Sequence, residues 1–385
     1  MTDKKIKVCL VITRMDWGGS PDLVRLLATG LLADGAELTL VTGLTSHASA
    51  RTAEFLKTFP GKLLVIPELQ REINPWRDLS AFCKLWRFFR AQKFDIVHSH
   101  TAKAGFLARS AAYLAGCRRI VYTPHGHVFY GYFNPLVSRF FILLERLAGL
   151  YTSALVVLTA REKADHVGFR ICPAEKIEII PTCLEAEFFS PGIDRQKIRE
   201  EFFSGARPLI GMVGRLEAVK GPGFFVEAAK DISGKFPNAR FLLVGEGALR
   251  RELEKRVNDL GIAGRFIFTG WREDVADILS CLDVLVLPSL NEAVGLVLLQ
   301  AQARGVAVVA SAVGGVAEAL VDGRTGILVP PADSSAIARA VAGLLADEQA
   351  RRMMGRQGSE WVRGRFSAER MVADHWKLYR SLMDK

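Results

Sequence analysis

The feature that most limits how this chain can fold is a pattern that runs twice: short β-branched runs, each followed by a longer amphipathic segment. Residues 8–12, 38–41, 62–66, 96–98, 120–123 and 155–158 read as strands, with helical stretches such as 22–34 and 78–91 between them. After Pro208 the pattern restarts at 209–213, 239–244, 266–269, 284–287, 306–310 and 326–329. Strands alternating with helices make βαβ units and a parallel sheet. Two such series imply an α/β chain of two doubly wound, Rossmann-like domains rather than one closed barrel.

The 385 residues are about twice a typical domain. Pro181, Pro191, Gly192, Gly205 and Pro208 break the periodicity between the series. The expected organisation is a first domain over 1–190, a second over 191–365, and a C-terminal segment, 366–385. In that segment Met371, Trp376, Leu378, Tyr379 and Leu382 recur at roughly helical spacing.

The six cysteines form no C-x-x-C pair and no Cys/His cluster, which points to neither a zinc site nor a disulfide scaffold. Scattered thiols of this kind suit a reducing compartment, so the expected location is cytoplasmic. The apolar run at 8–12 is too short for a signal-peptide core. The apolar region 140–160 is broken by Glu145, Arg146 and Tyr151-Thr152-Ser153, so no spanning helix is expected. A net charge of +10 favours an anionic partner. The basic residues are dispersed and no nucleic-acid module signature occurs, which leaves phosphorylated substrates and anionic lipid.

Candidate chemistry concentrates in the second series. Gly211-Met-Val-Gly-Arg-Leu-Glu-Ala-Val-Lys-Gly221 follows its first strand. Glycines at a strand-to-helix turn let backbone N–H groups approach a phosphate, which Arg215 and Lys220 would clamp. The alternative is a tight turn with two solvated cations. Gly245-Glu246-Gly247 and Gly270-Trp271-Arg272 also follow strands, where ligands of an open parallel sheet lie. Trp271 or Arg272 could flank a base. In the stretch from Pro288 to Gly305, a polar loop carries Asn291 and Glu292, and Gly295 opens an apolar helix whose free N–H groups favour an anion. Glu292 could accept hydrogen bonds from sugar hydroxyls, or be a carboxylate that simply favours a helix N-terminus.

In the first series, Asp16-Trp-Gly-Gly-Ser20 is another phosphate-approaching turn. His98-Ser-His100 and Tyr122-Thr-Pro-His125-Gly-His127 each follow a strand, too separated for an H-E-x-x-H metal site. Histidines in such turns are commonly structural. His125 stands out because Pro124 and Gly126 would hold it at a sharp, exposed turn.

Taken in order and spacing, the early Gly-Gly turn, the Thr-x-His-Gly turn, G-R-L-x-x-x-K-G, Gly-Glu-Gly and P-S-x-x-E before an apolar helix resemble the retaining glycosyltransferases of family 4. The resemblance runs nearly end to end. It implies the GT-B fold, two Rossmann-like domains facing across a cleft, with a nucleotide diphosphate sugar, most often a UDP-sugar, as donor. Arg215 and Lys220 match the diphosphate ligands. Glu292 matches the first Glu of E-x7-E, which contacts the donor sugar. Backbone groups of Val294, Gly295 and Leu296 would meet the sugar and distal phosphate, with Gly214 in the opposite turn. His125 matches the first-domain His near the sugar, and Gly18 and Gly19 the loop facing the diphosphate. The C-terminal helix would cross back onto the first domain.

Two positions depart from the family pattern. Gln300 stands where the second Glu of E-x7-E holds the ribose hydroxyls. Pro181-Thr-Cys-Leu184 replaces the usual Pro-Asn-Gly-Val, so Cys183 occupies a place where glycine gives backbone freedom.

Sugar transfer builds negative charge on the leaving phosphate, which cations or aligned dipoles must stabilise. No Asp-x-Asp occurs in the chain, so the expected mechanism needs no metal and no cofactor. The acceptor side would be the first domain, where helix 76–93 mixes aromatics with cations and 128–135 is rich in aromatics. Helix 76–93 reads either as an interfacial helix for an anionic membrane surface or as a Rossmann helix with buried aromatics. The strings around His98 and His125 resemble bacterial transferases that build surface polysaccharide on polyprenyl-diphosphate carriers, which implies a lipid-linked acceptor at the inner face of the cell membrane. A nucleotide-sugar epimerase of the same fold and a degenerate nucleotide-sugar-binding scaffold are the competing readings.

Overall fold

In a computed structural model, residues 5–16, 18–125, 134–190, 195–203 and 208–384 are described. The chain divides into two compact units, one of Met1–Cys183 with Ala368–Lys385 and one of Leu184–Ser367.

The first unit is built on a seven-stranded parallel sheet. Its strands are β1 (Lys7–Ile12), β2 (Glu37–Thr42), β3 (Lys62–Val65), β4 (Ile96–His100), β5 (Ile120–Thr123), β6 (Ala154–Val157) and β7 (Ile177–Ile179), in the order β3-β2-β1-β4-β5-β6-β7. Helices α1 (Gly19–Ala33), α2 (Ala50–Thr58), α3 (Pro75–Gln92), α4 (Ala102–Leu114), α5 (Pro135–Leu150) and α6 (Ala160–Gly168) connect them. β1 beyond Lys7 and all of β4 are buried, as expected of strands in a parallel sheet covered by helices on both faces, although β4 carries His98, Ser99 and His100. β7 escaped the sequence reading, since three residues on a sheet edge, of which only Ile177 is buried, carry no periodic signal.

The second unit repeats the plan with β8 (Leu209–Val213), β9 (Arg240–Val244), β10 (Phe266–Gly270), β11 (Val284–Leu287), β12 (Ala307–Ser311) and β13 (Ile327–Val329), ordered β10-β9-β8-β11-β12-β13. Its helices are α7 (Arg195–Phe202), α8 (Pro222–Lys235), α9 (Arg250–Asp259), α10 (Val275–Cys281), α11 (Leu296–Ala303), α12 (Ser334–Ala346) and α13 (Glu348–Arg365). Phe225, Phe241 and Phe266 anchor the core, with the last two rings stacked at 5.0 Å. Strand order reverses between β1 and β4 and between β8 and β11. Loops at these switch points diverge to opposite faces and open a crevice at the strands' carboxyl ends.

Helix α14 (Ala368–Met383) returns to the first unit and buries Met371, Trp376, Tyr379 and Leu382 in its core. It packs so closely on α1 that a Cβ on Gly30 would lie 2.3 Å from Val372 Cγ2.

The first break falls at Cys183/Leu184 rather than at 190. Residues 184–190 are tied to the second unit: Leu184 N donates to Phe366 O (2.9 Å), Arg363 Nη2 to Phe189 O (3.0 Å) and Arg304 Nη1 to Ser190 O (2.6 Å). Cys183 is buried in the first unit's core and is absent from the non-glycine residues with positive φ, so the departure from Pro-Asn-Gly-Val brings no left-handed strain.

Candidate functional site

At the β8/β11 switch point, Lys220 Nζ lies 2.6 Å from Glu292 Oε1, and Ser289 Oγ donates to the same oxygen at 2.9 Å. Two loops distant in sequence are knitted together to allow this. Leu290 N donates to Val219 O (2.8 Å). Gly221, at φ 64°, sits so near Pro288 that a Cβ would lie 2.2 Å from the Pro288 carbonyl oxygen. Glu292 is also held through its backbone, where Gly315 N donates to its carbonyl at 3.2 Å. Gly314, at φ 51°, leaves only 1.9 Å between a would-be Cβ and that oxygen. Side chain and main chain of Glu292 are thus set by contacts from three loops.

Beside this pair α11 begins. Gly295 caps it at φ 80° with no side-chain cap, and its first turn carries no acidic residue. Val294 and Gly295 are buried, Leu296 is half-buried, and Gln300 follows one turn on at partial exposure. Free N–H groups at a helix start, a nearby ammonium and no competing carboxylate in the turn make a place for an anion.

The remaining candidates of this unit line the ends of β8, β9 and β10. Gly245 N donates to Gly270 O (2.9 Å), and a Cβ on Gly245 would lie 2.0 Å from Gly214 O, so these turns are in backbone contact. Arg215 is exposed and pairs with Glu217 (2.7 Å), a surface bridge easily exchanged for a phosphate. Glu246 is bonded by Arg250, and Trp271 is half-exposed. Arg272 differs from the expected base-flanking role. Its guanidinium is gripped by Asp274 (2.8 and 2.7 Å) and Glu201 (2.6 and 3.3 Å), which makes it a brace between loop and α7.

In the first unit, Gly18 caps α1 at φ 147° and Gly19 opens it. Asp16 fixes the neighbouring loop by accepting from Ser46 N and His47 N at 2.8 and 2.9 Å. At the β1/β4 switch point the hydroxyls of Thr13 and Thr101 are 2.7 Å apart. Thr101 and His125 both hold positive φ, 69° and 57°. Strain just past the ends of the adjacent strands β4 and β5 is the kind that persists where a site requires it.

His125 is one end of a histidine column. Its Nε2 lies 2.9 Å from His100 Nδ1, and the His100 ring is 4.1 Å from that of His98. His98 bonds Tyr379 Oη (2.6 Å) and Thr123 Oγ1 (2.8 Å), and His375 packs alongside at 5.6 Å between rings. Burial, reinforced by the neighbouring imidazoles, holds His98 and His100 well below the ordinary histidine range and His125 down to about 3. Burial likewise lowers His375 to about 4. Neutral imidazoles that each donate once and accept once suit orientation of a polar ligand better than proton transfer.

Sequence reasoning had Ser289 in the P-S-x-x-E motif but gave it no role, and it missed Gly314 and Gly315 and the link of the column to α14. The Gly-Gly after β12 was a turn signal that was legible; the α14 link was not. Of the aromatic helix α3, Phe82, Trp86, Phe88 and Phe89 pack in the core, and only its N-terminal Trp76 and Leu79 are strongly exposed. The expected acceptor loop 128–135 lies outside the described residues except for its last two, which begin α5. Among the described residues no helix is long and apolar enough to cross a membrane, and no three metal-ligating side chains converge.

Residues 17–188 match the model of Glycosyltransferase Family 4 and residues 194–361 that of Glycosyl transferases group 1. Over 255 residues the chain is 34% identical to the UDP-Gal:alpha-D-GlcNAc-diphosphoundecaprenol alpha-1,3-galactosyltransferase of Escherichia coli, covering 65% of this chain and 66% of that protein. It is 32% identical over 308 residues to a D-inositol 3-phosphate glycosyltransferase of Corynebacterium urealyticum, covering 75% and 72%. Among solved structures, Anabaena HepE in complex with UDP superposes with a TM-score of 0.83 at 19% identity, over 98% of this chain and 100% of HepE, a likeness of fold.

Proposed function

Because the chain belongs to the glycosyltransferases of family 4, we propose that it transfers a sugar from a UDP-sugar to a lipid-linked saccharide, with retention of configuration and without a metal. The observation that carries this reading is the Lys220–Glu292 pair beside the uncapped start of α11. As the bond from the sugar to the distal phosphate breaks, charge gathers on the phosphate. Lys220, Arg215 and the α11 N–H groups are positioned to stabilise it. Lys220 then trades its carboxylate partner for the diphosphate, which leaves Glu292 ready to accept from sugar hydroxyls. The acceptor attacks from the face the phosphate leaves, so no covalent nucleophile is assigned.

The family resemblance gives His125, held neutral by burial, the role of supporting the sugar. Gly18 and Gly19 let backbone approach the diphosphate. Gln300 takes the ribose with a neutral acceptor, and the half-exposed Trp271 is left as the flank for the base. The lipid-linked acceptor is supported by the undecaprenol-borne substrate in the name of the Escherichia coli relative.

The test is calorimetric titration of UDP, GDP and ADP in EDTA into the native protein, Arg215→Ala and Lys220→Ala. UDP binding that survives EDTA and weakens in both variants supports the reading. Equal binding in all three proteins overturns the site, and a requirement for divalent metal overturns the metal-free mechanism. Product analysis with donor alone separates an epimerase, which needs no acceptor.

A further inference from the structure

Helix α5 is built inside out. The residues it buries fully are small or polar, Ser138, Glu145, Ala148 and Gly149, with Ile142 packed partly against the core. Gly149 lies so close to the chain that a Cβ would be 2.0 Å from Ile171 O. Five of its large apolar residues point the other way, while Val137, Phe141, Ile142 and Leu144 are half-buried. Leu136, Phe140, Leu143, Leu147 and Leu150 are all between 49% and 78% exposed. Their spacing of three and four residues places them in one stripe along the helix. A helix that served only the core would present these side chains inward.

The charges on this helix are segregated in the same sense. Its one acid, Glu145, is buried and bound by Arg109 at 2.7 Å. The exposed face carries Arg139 and Arg146 and no carboxylate. Arg146 Nε donates to Phe169 O at 2.7 Å, so that cation is held at the edge of the stripe. The apolar surface continues past the end of α5, where Tyr151 stacks on the exposed Tyr113 at 4.8 Å, beside the exposed Leu114.

We infer that the exposed face of α5, continued by Tyr113 and Leu114, docks on an anionic lipid surface. An apolar stripe whose own helix exposes two arginines and no carboxylate is complementary to acyl chains below anionic headgroups. This deepens the lipid-linked acceptor of the proposed function and rests on that reading for its purpose. It also replaces α3 as the expected membrane face, since the aromatics of α3 are largely used by the core.

The experiment is flotation of the full chain with vesicles of phosphatidylcholine alone or mixed with phosphatidylglycerol. It compares the native protein, Phe140→Asp/Leu147→Asp, Arg139→Ala and Trp76→Ser, with UDP titration on each. Expected is binding to the mixed vesicles that falls roughly tenfold or more in the double variant and severalfold in Arg139→Ala. UDP affinity and melting temperature should stay unchanged. No binding to mixed vesicles at low salt overturns the inference. So does loss confined to Trp76→Ser, or a dimer without vesicles that the double variant dissolves. Vesicle binding by a protein that takes no nucleotide leaves the surface standing while the transferase reading fails.

Discussion

Lys220 and Glu292, seventy-two positions apart, meet at 2.6 Å across the switch point of the second sheet, with Ser289 on the same carboxylate oxygen. The pair keeps a cation and an anion in place, and in the proposed function each exchanges its partner for a different part of one ligand.

Removing either partner should therefore have opposite effects on nucleotide binding. Lys220→Ala should weaken UDP by about 1.5–3 kcal/mol, the worth of a charge-assisted bond. Glu292→Gln keeps an acceptor for Ser289 yet frees the ammonium, so UDP should bind as well or better while transfer falls roughly a hundredfold. Calorimetry and initial rates read the two effects separately. Equal loss of UDP affinity in both variants would contradict the exchange.

Gly314→Ala should act on Glu292 at a distance from any ligand. The new Cβ meets the Glu292 carbonyl at 1.9 Å, and the backbone there has φ 51°. A cost of about 1–3 kcal/mol in stability is expected. Transfer should drop by more than UDP binding, because Glu292 is the group proposed to meet the sugar. Denaturant melts and kinetics check both, and an unchanged variant would remove Gly314 from the site.

Gln300→Glu should tighten UDP by about 1–2 kcal/mol, roughly five- to thirty-fold, by giving the ribose a charged acceptor. No gain would mean that residue 300 does not hold the ribose.

The buried pair Arg109–Glu145, with the guanidinium 3.8 Å above the Tyr122 ring, should be costly to break singly. Glu145→Leu leaves an uncompensated cation inside the first unit, at about 3–5 kcal/mol. Adding Arg109→Met should recover much of that loss. Urea melts of the two variants decide it.

Acidification should destabilise the first unit through its histidines. His125 and His375 are lowered to about 3 and about 4, against an ordinary value of 6.5. Between those values the unfolded chain binds protons that the folded chain does not. Stability is therefore complete above 6.5 and is lost as pH falls toward the folded values. By pH 5 each such histidine costs about 2 kcal/mol. His375→Gln should flatten the decline in melting temperature between pH 7 and 5. An unchanged slope would show that this imidazole takes a proton without unfolding.

The two parallel sheets and the glycine turns were legible in the sequence because they are local. Hydrophobic period distinguishes strand from helix, and glycine marks the turns where backbone approaches backbone, as at Gly221 and Gly245. Arg215, Lys220, Glu292 and His125 could be named as candidates because residue type and strand-end position are also local. Partnership is not. That Lys220 spends its charge on Glu292, that Arg272 is consumed by Asp274 and Glu201, and that His98 is bonded by Tyr379 from α14 are contacts between segments far apart in sequence. They depend on strand order and loop approach, which periodicity does not encode. The same holds for α3 and α5 of the first unit. Residues 76–93 read as a helix of aromatics and cations and 140–160 as an interrupted apolar region, and only packing decided that α3 turns its rings into the core while α5 turns Leu136, Leu143, Leu147 and Leu150 out.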